Sequence, residues 1–302
     1  MRALVTGGHG FVGGWLRAHL EEQGDEIVGP EFEVDVRDAA ALRSALDEAR
    51  PDAVYHLAAL SHVGESWDAP EQTFVVNALG TLHLLEAARA LAVPPRLLLV
   101  CSAEVYGSVR PEQLPITEDT PLRPMTPYAA SKVAAEFLGL QSYLAHQLPV
   151  VRVRAFNHVG PGQAPTFVVS SLARQVALAE REGGTRLCVG NLTPRRDFTD
   201  VRDVVRAYRL LVERGQPGEV YNVCSGRDVA VEELARLMLD RAGLDLEVAV
   251  DPELVRPVEV PVVRGDPSKV QAATGWRPLI PLDKTLDDAL TYWRSELARS
   301  RR

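Results

Sequence analysis

Cysteine is scarce in this chain: Cys101, Cys188 and Cys224 are the only three in 302 residues. They form no C-x-x-C pair and no metal-ligand spacing, so no metal site is expected and the thiols read as reduced ones in a reducing compartment. No apolar run approaches the roughly 18 residues of a membrane span. Positive charge is also short, with 33 Lys and Arg against 41 Asp and Glu and a net charge of −8. That balance argues against a nucleic-acid or anionic-membrane surface. No internal repeat, low-complexity segment or flexible linker is visible. The expectation is a cytoplasmic α/β protein of ordinary globular composition, with Arg299 to Arg302 as a frayed basic tail.

Strand and helix patterns alternate through the first half. Arg2 to Thr6 is a short apolar run ending at glycines, and Phe11 to Leu20 follows with helical periodicity. Ile27-Val28-Gly29 reads as a second strand, Glu33-Val34 as a brief third, and Ala39 to Ala49 as a helix. Ala53 to Leu57 is a strand and Glu71 to Leu91 one long helix with Phe74, Ala78, Leu82, Leu85 and Ala88 on a stripe. Leu97 to Val100 is continuously apolar, as in a parallel strand buried on both faces. Tyr128 to Ala145 is a helix and Val150 to Val153 a strand. This order predicts a Rossmann-like, doubly wound parallel sheet. After Phe156 come loop glycines and prolines, then helices at 167–182, 201–214, 230–242 and 282–297 with short strands between. The expected division is a dinucleotide-binding domain over 1–159, with 196–224 returning to it. A smaller interleaved lobe takes 160–195 and 225–302.

Thr6-Gly-Gly-His-Gly-Phe-Val-Gly13 lies between the first strand and the first helix. Gly7, Gly10 and Gly13 allow a tight turn, approach of a pyrophosphate to the backbone, and close helix–strand packing. The helix start, at Phe11 and Val12, offers unpaired N–H groups and a positive dipole end to phosphate. After the second strand stand Glu31 and Glu33 rather than a basic cluster, and Glu31 can approach a ribose. The choice between NADH and NADPH therefore stays open. Asp35 and Val36 are placed to hold an adenine, and Leu57, Ala58 and Ala59 leave room for the cofactor at a strand's carboxyl end.

Tyr128-Ala-Ala-Ser-Lys132 puts a phenol and an ammonium on one helix face. A free tyrosine, with a pKa of roughly 10, is a slow proton carrier near neutrality. A close cation favours the phenolate, so Lys132 is expected to lower the Tyr128 pKa.

Together, Gly7-x-x-Gly10-x-x-Gly13, His56-Leu-Ala-Ala59, Asn77-x-x-Gly80-Thr81, Ser102 with Tyr106-Gly107, and Tyr128-x-x-x-Lys132 resemble the extended short-chain dehydrogenase/reductase family. These are nucleotide-sugar epimerases, dehydratases and reductases, and the resemblance spans essentially the whole chain. The second half is most similar to the GDP-6-deoxy-D-mannose reductases. The resembling segments include Phe156-Asn-His-Val-Gly-Pro-Gly-Gln163, Arg196-Asp-Phe-Thr-Asp-Val-Arg-Asp203, Val220-Tyr-Asn-Val-Cys-Ser-Gly226 and Thr274-Gly-Trp276. The sister GDP-mannose 4,6-dehydratases typically carry Gln-Asp-Gly where this chain has Phe11-Val12-Gly13 and depart from Gly-Pro-Gly-Gln163. Ser102-Ala103-Glu104 points the other way, resembling the Thr-x-Glu of sugar 4,6-dehydratases.

The resemblance implies reduction of the C4 ketone of a nucleotide-linked 4-keto-6-deoxy-hexose by NADPH or NADH. Tyr128 gives the proton, Lys132 also holds the nicotinamide ribose, and Ser102 hydrogen-bonds the sugar oxygen. It adds Asn77 and Phe156 to the cofactor contacts. It assigns Ser102, Glu104, Asn157, Val168, Arg196, Arg256 and Glu259 to the substrate, the arginines toward its phosphates. A homodimer through the helices at 71–91 and 128–145 is implied as well. Dehydration with Glu104 as base, 4-epimerisation, and a catalytically silent cofactor-binding protein are the competing expectations.

Overall fold

The structure is a computed structural model that describes residues 1–29, 34–255 and 260–299. Glu31, Glu33, Arg256, Glu259 and the tail 300–302 lie outside the described residues.

The first half runs β1 (Arg2–Thr6), α1 (Phe11–Glu22), β2 (Glu26–Ile27), α2 (Ala39–Ala49), β3 (Ala53–His56), the short α3 (Glu65–Asp68) and α4 (Pro70–Phe74), then α5 (Gly80–Arg89), β4 (Arg96–Ser102), α6 (Pro127–His146) and β5 (Val150–Ala155). The second half continues with β6 (Asn157–Val159), α7 (Val168–Glu182), β7 (Arg186–Val189), β8 (Arg195–Asp200), α8 (Val201–Arg214), β9 (Val220–Val223), β10 (Asp228–Ala230), α9 (Val231–Ala242), β11 (Glu247–Val250), β12 (Val262–Val263), α10 (Ser268–Thr274) and α11 (Leu282–Arg299).

Among the described residues, six strands form one parallel sheet in the order β2-β1-β3-β4-β5-β9. This is the doubly wound α/β architecture that the alternating pattern predicts. Along β4, Leu98 joins the core under α1 and α8, whereas Leu97 and Leu99 join the core under α2 and α5. Successive strand side chains face opposite sides, so covering both faces demands the unbroken apolar run. β1 is flanked by β2 on one side and β3 on the other. The strand order reverses there, and a crevice opens at the carboxyl ends of the strands.

The remaining strands lie off this sheet. β8 pairs with β6, β10 and β12, and β7 with β11. α7, α9 and α11 close a second core through Leu172, Val176, Leu234, Met238, Leu286 and Leu290. Trp276, fully buried, donates its indole N–H to the Asp203 carbonyl at 2.9 Å and so ties the chain after α10 to α8.

Three elements differ from expectation. The long helix at 71–91 is interrupted by a π-turn, Val75–Leu79, between α4 and α5. Such turns mark places where a side chain must be re-aimed. Here it is Asn77, whose amide accepts from Leu60 N at 2.8 Å and donates to Leu60 O and to Ser131 Oγ. The second strand is shorter than expected because the backbone leaves the sheet at Gly29, where φ is 123°. Val34, expected in a third strand, is not in one.

α6 is set by Thr126, whose hydroxyl accepts from Ala129 N at 3.0 Å, and by Pro127 in the first turn. It is held to the sheet by charge. Glu136 is 0% exposed and receives Arg154 Nη2 at 2.6 Å and Arg152 Nη1 at 3.3 Å, both buried on one face of β5. Removing one partner of a buried ion cluster strands the others. Glu136→Ala should cost about 3–5 kcal/mol in chemical denaturation; a loss under 1 kcal/mol would show that the arginines find other partners.

Candidate active site

The glycine turn builds one end of the site. Gly10 N donates to Gly7 O at 3.1 Å, closing the loop directly before α1. A Cβ on Gly13 would stand 2.1 Å from Gly7 O, and one on Gly7 would stand 2.7 Å from Ala58 N. Gly7 also has φ +70°, which disfavours any side chain. The first turn of α1 has Gly10 as its N-cap, no side-chain cap and no acidic residue, so its N–H groups suit an anion.

A cavity of about 640 Å³ starts at this turn. Gly7, Gly10, Phe11, Val12 and Gly13 line it, with Asp35, Val36, Leu57, Ala58 and Ala59 beside them. Hydrogen bonds from Arg37 Nε and Nη2, and one from its backbone N–H, hold the Asp35 carboxyl down at about 2. His56 ties the floor together: Nδ1 meets Thr6 Oγ1 at 2.8 Å and Nε2 meets Thr81 Oγ1 at 2.9 Å. Burial, helped by the nearby Lys132 charge, lowers its pKa to about 3, so the ring is neutral.

At the other end Ser102, Glu104, Tyr128 and Lys132 line the same cavity. Ser102 ends β4, and its Oγ accepts from Glu104 N at 3.2 Å. The same hydroxyl favours the Tyr128 phenolate. The Tyr128 backbone is fixed by Tyr128 N donating to Ser66 Oγ at 3.2 Å. The electrostatics differ from the expected ones. Burial is the largest influence on Tyr128 and pushes its pKa up; the Ser102 hydroxyl opposes this, and the Glu104 charge adds to it. Lys132 is not among the groups that lower it. Its ammonium instead donates to Val100 O at 2.9 Å, and burial lowers its own pKa. The phenol is therefore protonated at neutral pH, and the same burial makes it a weaker acid until something in the site stabilises the phenolate. Cys101, one residue from Ser102, is pushed up to about 12 by burial and is no nucleophile.

Phe156, Asn157 and Val168 also line the cavity. Arg196 and Asn77 do not. Arg196 Nη1 donates to Arg195 O and to Val260 O at 2.7 Å, because β8 pairs with β12 and brings that carbonyl alongside. Asn77 anchors the loop after β3, one shell behind the cavity wall. Residues not assigned from sequence complete the lining, chiefly His62, His158, Gln163, Phe167, Phe198 and Tyr208. Gln163 Nε2 donates to His158 O at 3.0 Å, while its buried Oε1 has no partner among the described residues. Its place in the Gly-Pro-Gly-Gln163 segment was the available signal. Among the described residues no cluster suits a metal ion.

The volume falls in the range of cofactor sites, and the glycine cradle, tight enough to reject a methyl group, fits a dinucleotide's pyrophosphate. This is the site plan of an extended short-chain dehydrogenase/reductase. The family model for GDP-mannose 4,6 dehydratase matches residues 31–289. The GDP-6-deoxy-D-mannose reductase of Pseudomonas aeruginosa is 40% identical over 299 residues, covering 98% of each chain. A GDP-mannose 4,6-dehydratase of Yersinia enterocolitica is 29% identical over 341 residues, covering 94% of this chain and 91% of that one. The solved structure of RMD from Pseudomonas aeruginosa complexed with NADPH matches with a TM-score of 0.92 at 40% identity, covering 98% of this chain and 99% of that one. A UDP-glucose 4-epimerase of Thermus thermophilus in complex with NAD matches at 0.86 and 31% identity, covering 97% and 99%. The chain belongs to the GDP-mannose 4,6-dehydratase family of extended short-chain dehydrogenases/reductases.

The steric argument is testable. Gly13→Ala should weaken dinucleotide binding by about tenfold or more, equivalent to about 1.4 kcal/mol, in a titration of nicotinamide fluorescence. Unchanged affinity would mean that the turn is not the pyrophosphate cradle.

Proposed function

We propose that this protein reduces the C4 ketone of GDP-4-dehydro-6-deoxy-D-mannose to GDP-D-rhamnose, using NADPH or NADH. The observation that carries this reading is the end-to-end similarity, at 40% identity, to a GDP-6-deoxy-D-mannose reductase. When bound, the reduced nicotinamide supplies the hydride. Tyr128, protonated by virtue of its burial, delivers the proton to the oxygen on which negative charge develops. Ser102 hydrogen-bonds that oxygen and orients the phenol. Lys132, pinned by the Val100 carbonyl, presents its remaining donors to the ribose hydroxyls. Gly7, Gly10 and Gly13 hold the pyrophosphate, and Asp35 and Val36 border the adenine. Asn157, Val168 and Glu104 bound the sugar end. Arg256 and Glu259 belong to the same proposed substrate contacts but lie outside the described residues.

A second reading is 4,6-dehydration. Glu104 lines the cavity close enough to Tyr128 for its charge to act on the phenol. A carboxylate so placed suits removal of a proton from carbon.

The protein also reads as a homodimer. Phe74 and Leu79, on α4 and the π-turn, and Phe137 and Leu144 on α6 are 40–65% exposed. A four-helix interface would cover them. The free thiols Cys101, Cys188 and Cys224 suit the cytoplasm. Among the described residues no helix is long and apolar enough to cross a membrane.

Supplying GDP-4-dehydro-6-deoxy-D-mannose with each reduced cofactor, and identifying the sugar product, tests the main reading. Oxidation by neither cofactor would end it, and conversion of GDP-mannose without added reductant would put dehydration in its place. Tyr128→Phe should lower kcat by at least about 100-fold with cofactor affinity kept, whereas Glu104→Gln should cost reduction less than tenfold. Phe137→Glu should yield a monomer in sedimentation equilibrium; a wild-type monomer at micromolar concentration would remove the dimer.

A further inference from the structure

Tyr208 poses a question that packing alone does not answer. It sits mid-way along α8 among Val204, Val205, Ala207 and Leu211, all in one apolar cluster. It is 0% exposed. A phenylalanine would fill the same volume, so the hydroxyl needs a reason. Its Oη is buried and has no hydrogen-bond partner among the described residues. Leaving such a group unpaired is costly, and native structures rarely do so without a ligand or a functional role.

The position of Tyr208 supplies the candidate. Its side chain forms part of the wall of the main cavity, as do Val100, Cys101, Tyr128 and Ala155. Tyr55 also has an unpaired buried hydroxyl, but Tyr55 is not part of this wall. Burial raises the Tyr208 pKa. The hydroxyl is therefore a neutral donor within electrostatic reach of the proton-transfer site. Two acceptors in that neighbourhood already have donors: Val100 O takes the Lys132 ammonium and Ser102 Oγ takes Glu104 N.

We propose that the Tyr208 hydroxyl donates a hydrogen bond to the carboxamide oxygen of the bound nicotinamide, fixing the ring's rotation on the cavity floor. This rests on the nicotinamide-binding reading above. An amide oxygen is a strong acceptor, and the ring must lie beside Tyr128 and Lys132 for the reaction to proceed. One donor below the ring would select one carboxamide orientation and thereby one ring face toward the substrate.

Tyr208→Phe separates this role from packing, with ADP-ribose as the probe that lacks the nicotinamide. Calorimetry should show the reduced dinucleotide binding about tenfold more weakly to the variant, with ADP-ribose affinity unchanged. The melting temperature of the unliganded protein should stay level or rise, because a buried unpaired hydroxyl is gone. Unchanged dinucleotide affinity with a raised melting temperature would overturn the proposal. An independent measurement uses the wild type alone: the thionicotinamide dinucleotide, whose sulfur accepts poorly, should bind about tenfold more weakly than its parent. Equal binding of the two would also overturn it. A wild-type protein that bound neither NADH nor NADPH would instead refute the functional reading itself.

Discussion

The active-site helix is held by one buried carboxylate. Tyr128, Lys132 and Glu136 follow one another at four-residue spacing on α6, so they share a face. The first two look into the cavity, and the third is gripped by Arg152 and Arg154. Two guanidiniums against one carboxylate leave an excess positive charge in the interior. Backbone carbonyls meet part of it: Arg152 Nη2 donates to Gly218 O at 2.6 Å and Arg154 Nη1 to Glu118 O at 2.9 Å. A cluster of this kind adds little net stability relative to apolar packing, because desolvation offsets the attraction. What it contributes is a unique register. A one-residue slip of α6 would bury an unpaired charge and misplace the phenol and the ammonium together.

The cluster reaches beyond α6. Arg154 Nη1 also donates to Tyr106 Oη at 2.9 Å, and Tyr106 Oη donates to Asn222 Oδ1 at 2.7 Å. Asn222 Nδ2 donates to Ile116 O at 3.0 Å. The turn after β4, the loop at 116–118, β5 and β9 thus share one hydrogen-bonded chain with the active-site helix. Asn77 does the corresponding work at the other side, joining the loop after β3 to Ser131 on α6. Cofactor end and proton-transfer end are therefore braced against the same helix.

What sequence made legible follows from how local each signal is. The strand–turn–helix at 2–20 and the apolar run of β4 are short-range patterns, and the folded sheet reproduces both. The π-turn is not local, since it arises from Asn77 reaching back to Leu60. The four-residue spacing of Tyr128 and Lys132 correctly implies one face, yet it says nothing of the Val100 carbonyl, 32 residues away, that takes the ammonium. Arg196 reads as a phosphate ligand until β12 supplies the carbonyl beside it. Tyr208 is invisible for another reason. On an apolar stripe a tyrosine looks like core, and only the missing partner of its hydroxyl distinguishes it.

The same bracing bears on reduction versus dehydration. Glu104 lies in the short turn Ala103–Tyr106, between Ser102, which caps it, and Tyr106, which is pinned by Arg154 and Asn222. With both ends anchored, the backbone at Glu104 has little freedom to carry its carboxylate toward or away from a sugar carbon. Choice of chemistry must then come from where the substrate sits. The phenol's high pKa works in the same direction for both reactions only if a proton is to be donated first; a reaction that begins by oxidising the sugar needs the phenolate. Burial of Tyr128, with Glu104 adding to the rise, keeps the phenol protonated at rest, so stabilising the phenolate falls in both reactions to what binds beside it.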